Sequence, residues 1–501
     1  MLKIGLIIPS DYMVPVWFQL LVNRIIDENI GRIIEVRTIP KSKTHHIDKN
    51  FFYNLDNFLF ENSVKKGKRI NFLKKNKLNL GRVPLFDGDN KSENTADLFL
   101  SLEKMQIIRD DNSNFGLWEY YIDDCNISDI YFGLRSVANE SSISVKVMSR
   151  FESGNMLIVD ARVKNARSFI ITKNIIAEKL IELTIQALKR VMISGLDNYT
   201  KNEIYPTCLH KTNKLYCKIF INAILKTLNK KNMAETEWFL LLGKKGKSFP
   251  VNEAGLQYIY QDSSVFFADP FLFQHGDQTY LFVEEFHFSN SKGVIAVLKK
   301  NHDGEYIRIG TALERPYHLS YPFIFRYANE IYMIPETSQA NTVDLYKCID
   351  FPMKWENTKT ILSNVKACDT TLLFHDNIWW MFTSIERNGW GYDEQLYLYY
   401  SDDPINGKWA EHPLNPIVMD TRYARMAGNI IIKEGKLIRP AQDCSKVYGD
   451  AINYMEIQTL TKEDYNEKIV FDTTPEKKYL GIHTYNEMDT EFIIDVRRYK
   501  K

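Results

Sequence analysis

Lys3 to Pro9 (KIGLIIP) is a short apolar run rich in β-branched residues, and Val14 to Glu28 then carries apolar residues at helical spacing. This order predicts strand, loop, helix. Ile33 to Ile39 (IIEVRTI) gives a second strand after a short connection, as in a parallel βαβ unit. Residues 41 to 95 lose this periodicity and become rich in Lys and Asn, which predicts a long basic insertion, partly helical around Phe51 to Phe60. Further strands are predicted at Asp97 to Leu102, Gly116 to Tyr121 and Ser144 to Arg150, and a helix from an Asn174 N-cap to Met192. A second amphipathic helix, Leu215 to Leu228, follows a polar stretch containing Pro206. The pattern divides the chain into an α/β domain over 1–195 with its insertion at 41–95, a linker over 196–235 with a bridging helix, and a third region over 236–501.

In that third region helical periodicity disappears. Four units align: ADPFLFQHGDQTYLFVEE (Ala268 to Glu285), LSYPFIFRYANEIYMIPE (Leu319 to Glu336), ACDTTLLFHDNIWWMFTS (Ala367 to Ser384) and AGNIIIKEGKLIRPAQD (Ala427 to Asp443). Each has a small or polar start, an apolar strand, a polar turn and a second apolar or aromatic strand. A weaker fifth unit begins near Gly481, so starts recur about fifty residues apart, the length of one four-stranded blade. The pattern predicts an all-β five-bladed propeller, with WFLLLGKKG (Trp238 to Gly246) closing the ring against strands from the C-terminal end.

Composition adds limits. Of 501 residues, 13% are aromatic, which favours strands and sugar-stacking surfaces, and the net charge of +1 gives no global electrostatic case for a nucleic-acid binder. Residues 41 to 82 nevertheless carry eleven Lys/Arg against three Asp/Glu. The stretch Lys65 to Lys77 reads first as a solvated loop, with peripheral contact to an anionic membrane surface or a nucleotide-linked donor as its other use. The six cysteines lack a C-x-x-C pair or a close His, so no metal site or disulfide framework is indicated, and no cofactor is specified. Scattered cysteines, no readable signal peptide and no apolar run of spanning length lead to the expectation of a cytoplasmic protein, at most peripheral to the inner membrane.

The runs ADPFLF…YLFVEE, YPFIF…IYMIPE, CDTTLLF…WWMFTS and RMAGNIIIKEGKLIRPAQDCSKVYGDAINYMEI resemble a known propeller. It is the N-terminal region of plant glucosamine inositolphosphorylceramide transferase, found also in bacterial polysaccharide-locus proteins and similar to the five-bladed glycoside hydrolase family 43 fold. The resemblance covers roughly residues 236 to 498, with Arg439 to Gly449 its most specific part. The first domain is more weakly similar to the formyltransferase fold, a Rossmann-type parallel sheet. Tyr120 or Tyr121, in FGLWEYYIDD (Phe115 to Asp124), stands where such enzymes carry a catalytic histidine, and DLFLSLEK (Asp97 to Lys104) supplies no equivalent of their asparagine. A tyrosine is poorly suited to shuttling protons near neutral pH. The resemblance therefore implies a scaffold that has lost formyl transfer.

In a propeller the first strand of each blade lines the central channel, so Asp269, Tyr321, Asp369 and Gly428 are expected to converge. Two carboxylates facing one cavity suit glycoside cleavage or transfer, one as base or nucleophile and the other as acid. Asp269 and Asp369 are the first candidates, with Glu285 and Glu336 as alternates. Family 43 carries an acid-tuning aspartate where Tyr321 stands here. Arg439, Gln442, Asp443, Tyr448 and Arg425 are candidates for holding substrate, together with His318, Tyr321 and Trp380. The same residues also have structural uses: Asp269-Pro270 fits a self-bonded turn, Arg439 and Asp443 a buried brace between blades, and Trp380 a core ring. The resulting expectation is a carbohydrate-active protein of surface-polysaccharide or glycolipid assembly, a glycan-modifying transferase acting on a sugar or sugar-linked substrate. The alternatives are a non-catalytic glycan-binding module and an amino-sugar N-formyltransferase with a folate donor.

Overall fold

The computed structural model describes residues 1–40, 56, 69–71, 85–87, 96–103, 113–128, 133–151, 154–166, 168–196, 199–201, 212–228, 236–245, 255–473, 475 and 478–500. The chain divides into two compact units, Met1–Asn229 and Lys230–Lys501.

In the first unit, Leu2–Pro9 is flanked by parallel partners on both sides, Gly31–Ile39 and Leu98–Ser101. Its side chains Ile4, Leu6, Ile7 and Ile8 are all buried, as expected of a central parallel strand covered on both faces. The parallel run Leu85–Asp87, Gly31–Ile39, Leu2–Pro9, Leu98–Ser101, Leu117–Ile122 is then extended antiparallel by Ser142–Phe151, Gly154–Lys164 and Thr200–Lys201. The helix Phe169–Ser194 is capped by Ser168, six residues before the expected Asn174 cap. Ser168 accepts the Ile171 N–H at 3.1 Å, and Phe169 and Ile170 are already buried, so burial and capping agree on the earlier start. Thr212–Leu228, expected to bridge the halves, belongs to this unit: Lys218 Nζ donates to Asn139 Oδ1 (2.7 Å) and Asn222 to the Ala138 carbonyl (2.9 Å). Most of the basic insertion, including Phe51 to Phe60 apart from Asp56 and most of Lys65 to Lys77, lies outside the described residues. Among the described residues no helix is long and apolar enough to cross a membrane.

The second unit is a five-bladed propeller. Three blades are simple meanders starting from Val265–His275, Ser320–Tyr327 and Ala367–His375, and the fourth runs from Arg425–Met426 to Tyr465–Thr473. The fifth combines Gly481–Glu487 and Glu491–Tyr499 from the end of the chain with Thr236–Lys244 and Gln257–Tyr258 from the start of the unit. Thr236–Lys244 pairs antiparallel with Glu491–Tyr499 along its whole length, from Thr236 opposite Tyr499 to Lys244 opposite Glu491. This is the closure expected from WFLLLGKKG.

Alternation explains why that run is apolar throughout. Leu240 and Leu242 pack with Phe267, Leu281 and Val283 of the first blade, whereas Phe239 and Leu241 pack with Ala427, Ile452 and Tyr454 of the fourth. A strand wedged between two blades buries both faces. Ile493, fully buried on the partner strand, belongs to the first of these clusters. Ile493→Ala is expected to cost about 2–5 kcal/mol in urea denaturation. Ile469→Ala, at a side chain 45% exposed, is expected to change stability by less than about 0.5 kcal/mol.

Candidate functional site

The inner strands share a device that aims side chains at the axis. Their pairing slips between Ala268 and Phe271, Ser320 and Phe323, Cys368 and Thr371, and Ile482 and Tyr485. Such bulges re-aim the residues they contain. Asp269, Tyr321 and Asp369 take the left-handed backbone conformation there (φ 47°, 43° and 53°). Gly428 occupies the matching place in the fourth blade at φ 121°, where a Cβ would lie 2.0 Å from the Tyr485 carbonyl oxygen.

Asp269 is held from two neighbouring blades. Its Oδ1 accepts the Thr484 hydroxyl (2.8 Å), its Oδ2 accepts the Tyr321 N–H (3.3 Å), and its own N–H donates to Asp495 Oδ2 (2.9 Å). His483 lies between the two aspartates, with Nδ1 2.7 Å from Asp495 and Nε2 3.5 Å from Asp269. Trp238 stacks on its ring at 4.0 Å. Asp369 accepts Arg425 Nε at 2.6 Å and Gln442 Nε2 at 3.3 Å. Arg425 also reaches Asp393 (3.0 Å), approaches Glu336 (4.0 Å) and lies over Tyr448 (4.9 Å to the ring centre). Glu284, buried on the second strand of the first blade, faces His318 Nε2 at 3.4 Å. His318 Nδ1 accepts the Gly293 N–H (2.9 Å), so in the neutral ring the proton sits on Nε2 and points at Glu284.

Carboxylates outnumber cations here. Burial pushes Asp269 up to about 6, reinforced by Asp369 and Asp495 against the opposing pull of His483. Burial likewise pushes Asp369 up to about 6, with Glu336 adding and Arg425 opposing. Glu284 is driven well above the usual carboxylate range by burial and then by Asp269, and Glu336 is raised by burial. His483 is raised: burial opposes its charge, but Asp495 and Asp269 outweigh it. Burial lowers His318 and so favours its neutral form. The cluster can therefore hold protonated and ionised carboxyl groups side by side near neutral pH, the condition for paired acid and base work. Two groups have ligating atoms within 4.8 Å of one another, Asp269 with His483 and Asp495, and Glu336 with Cys368 and Asp369. In each, a cationic side chain of the protein, His483 or Arg425, already faces the carboxylates.

Of the residues expected from sequence, Asp269, Asp369, Glu336, Arg425, Gln442 and Tyr448 come together, with His318 at the edge through Glu284. The others are placed elsewhere. Glu285 points away from Glu284 by strand alternation and pairs with Arg308 (2.5 and 2.9 Å) and His287. Arg439 is fully buried in a two-pronged pair with Glu467 (2.9 and 2.6 Å), a brace inside the fourth blade rather than a substrate clamp. Asp443 accepts the Ser445 N–H at 2.8 Å and shapes a turn. Trp380 is a core ring, 1% exposed. Tyr321 is also fully buried: its hydroxyl meets Thr371 (2.8 Å) and both the N–H (3.0 Å) and carbonyl (3.1 Å) of Gly428, tying the second blade to the third and fourth. The residues missed are Glu284, Asp393, Asp495 and Trp238. Only Glu284 had a signal: it shares its strand face with Tyr280 and Phe282, whereas Glu285 falls with Leu281 and Val283.

The sequence family described as "Glucosamine inositolphosphorylceramide transferase 1, N-terminal" matches residues 248–500. Glucosamine inositolphosphorylceramide transferase 1 of Oryza sativa subsp. japonica is 40% identical over 208 residues, 41% of this chain and 28% of the relative. The Arabidopsis thaliana protein of the same name is 38% identical over 209 residues, 41% of this chain and 27% of the relative. The chain thus spans little more than a quarter of the length of these relatives. Similar solved structures include Zg3597, a family 117 glycoside hydrolase of Zobellia galactanivorans (TM-score 0.36, 12% identity, 52% of this chain and 90% of that one). Another is the GH43_1 enzyme from Xanthomonas citri complexed with xylotriose (TM-score 0.36, 9% identity, 47% and 87%).

Two stability measurements check this geometry. Tyr321→Phe strands the buried Gly428 N–H and is expected to cost about 1–3 kcal/mol in chemical denaturation. Asp269 has a folded pKa of about 6 against 3.8 for the free group, so the folded state holds the extra proton and stability falls as pH rises through that window. Asp269→Asn is expected to flatten the fall between about pH 4 and 6, by on the order of 1–3 kcal/mol.

Proposed function

Because the chain belongs to the family of the N-terminal region of glucosamine inositolphosphorylceramide transferase 1, we propose that its propeller handles a sugar during glycolipid or surface-polysaccharide assembly, as part of a glycan-modifying transferase. The observation that carries this reading is the pairing of Asp269, a carboxyl poised near neutrality, with Glu284, a neighbouring carboxyl held protonated. In this scheme Asp269 takes the proton of the acceptor hydroxyl as its oxygen bonds to the sugar carbon. The bond from that carbon to the leaving oxygen breaks, and the leaving oxygen takes the Glu284 proton. Asp369, fixed by Arg425 and Gln442, acts through its charge on the other two carboxyl groups.

A second reading, a glycan-binding module serving a transferase domain elsewhere, is supported by the matched region, which corresponds to about a quarter of the relatives. For the first unit we propose a formyltransferase-like scaffold without formyl transfer. Tyr120 is fully buried against Trp17 and the Tyr121 hydroxyl is committed to Glu119 (2.7 Å), so neither replaces a histidine shuttle. This weighs against the third reading, an amino-sugar N-formyltransferase.

The test is mass spectrometry of glycolipids and surface glycans from cells carrying the native chain, Asp269→Asn, Glu284→Gln or a deletion. Under the catalytic reading each variant loses the product by about a hundredfold or more, while calorimetry shows glucosamine bound as by the native protein. Product retained in both variants, with the deletion still abolishing it, selects the binding module. A glycan profile unchanged by deletion overturns both.

A further inference from the structure

Glu491–Tyr499, the partner of the ring-closing strand, carries two consecutive arginines with opposite fates. Arg498 Nε donates to Glu237 at 2.9 Å, and its guanidinium lies 4.2 Å from the Phe239 ring centre. Arg497, half-buried, donates from Nη2 to the Leu480 carbonyl (3.2 Å), and its buried Nε meets no acceptor among the described residues. Among the described residues no carboxylate pairs with it: the neighbouring Asp450 is taken by Lys446 at 3.1 Å. Burial pulls this guanidinium below its ordinary range, outweighing the weaker opposing pull of Tyr448 and Asp450. A cation removed from water and left unpaired is costly unless an anion arrives to offset it.

Its place in the fold connects it to the site. Arg497 lies in register between Trp238 and Gly481, with its guanidinium 5.3 Å from the Trp238 ring. Trp238 stacks on His483, whose Nε2 is 3.5 Å from Asp269. Tyr448, also beside Arg497, lies under Arg425 and 5.4 Å from the His483 ring. The RPAQDC…YG segment, the most specific stretch of the propeller sequence, thus contributes Tyr448 to the surroundings of Arg497, and Asp450 follows it directly.

We propose that Arg497 is an anion subsite that holds a phosphoryl group of the substrate while the sugar ring lies toward the axial carboxylates. The planar fork of donors matches phosphate oxygens. Arg425 cannot serve, because Asp369, Asp393 and Glu336 already surround it. A carboxylate borne directly on the sugar ring would sit among the axial carboxylates and be repelled. A phosphoryl group carried beyond the ring, far enough to pass the stacked Trp238 and His483, meets the guanidinium instead. The proposal rests on the sugar-handling reading for the identity of the ring, but not for the anion.

The test uses the full chain and three probes by calorimetry and co-sedimentation: inorganic phosphate, uridine diphosphate, and phosphatidylcholine vesicles with or without phosphatidylinositol. Arg497→Gln is expected to weaken inorganic phosphate binding by about tenfold or more, while Arg498→Gln leaves it unchanged. Arg497-dependent binding of uridine diphosphate points to a soluble nucleotide-linked source, and of phosphatidylinositol vesicles to a lipid headgroup; either supports the subsite. Phenylglyoxal labelling of the native chain, mapped by mass spectrometry, guards against a variant that fails to fold: phosphate is expected to protect Arg497. Native protein that binds none of the three probes, equal binding by native and Arg497→Gln, or labelling indifferent to phosphate overturns the proposal. Phosphate binding retained in Asp269→Asn separates this subsite from the axial chemistry, so either can fail alone.

Discussion

Asp495 is fully buried, and its two oxygens hold groups from two blades. Oδ2 accepts the Asp269 N–H, and Oδ1 accepts the Thr484 N–H and faces the His483 ring. It does so from the strand that pairs with Thr236–Lys244 and closes the propeller. Ring closure and assembly of the site are therefore one event. If the strand Glu491–Tyr499 is not seated, Asp269 loses the acceptor for its backbone N–H, and His483 loses the carboxylate that most favours its charged form. A buried carboxylate is tolerable only because its oxygens are so fully used.

The charge arrangement follows from that constraint. Asp269, Glu284, Glu336, Asp369, Asp393 and Asp495 gather round Arg425 and His483, and the excess is relieved by keeping some carboxyl groups protonated. Hydroxyl-rich ligands suit such a surface, since they donate to carboxylates without bringing negative charge. Arg497, one ring away across Trp238, supplies the complementary sign. Acidic centre and basic flank together match the proposed substrate, neutral at one end and anionic at the other.

Much of the propeller was legible in the chain because its determinants are local. Aromatic and β-branched runs separated by Gly, Asn and Asp turns mark strands, and their recurrence marks blades. The convergence of Asp269, Tyr321, Asp369 and Gly428 followed from equivalent positions in that repeat. In the first unit the early strands and the helix after Leu2–Pro9 were readable for the same reason. The start of Phe169–Ser194 was not, because Ser168 and Asn174 are both competent caps and only the burial of Phe169 and Ile170 selects between them.

The sequence by itself determined the five-fold repeat, the closing strand and the set of polar residues available near the axis. Tertiary structure decided which of them work together. Glu284 and Glu285 differ by one position, and strand parity sends one to the axis and the other to Arg308. Arg425, Arg439 and Arg497 are alike as residues, yet one is ringed by carboxylates, one braces Glu467, and one has no acid partner among the described residues. The physical reason is distance along the chain. Asp269 meets Asp495 across 226 residues and Arg425 meets Asp369 across 56, so partners are assigned by the closed ring, and no local pattern encodes them.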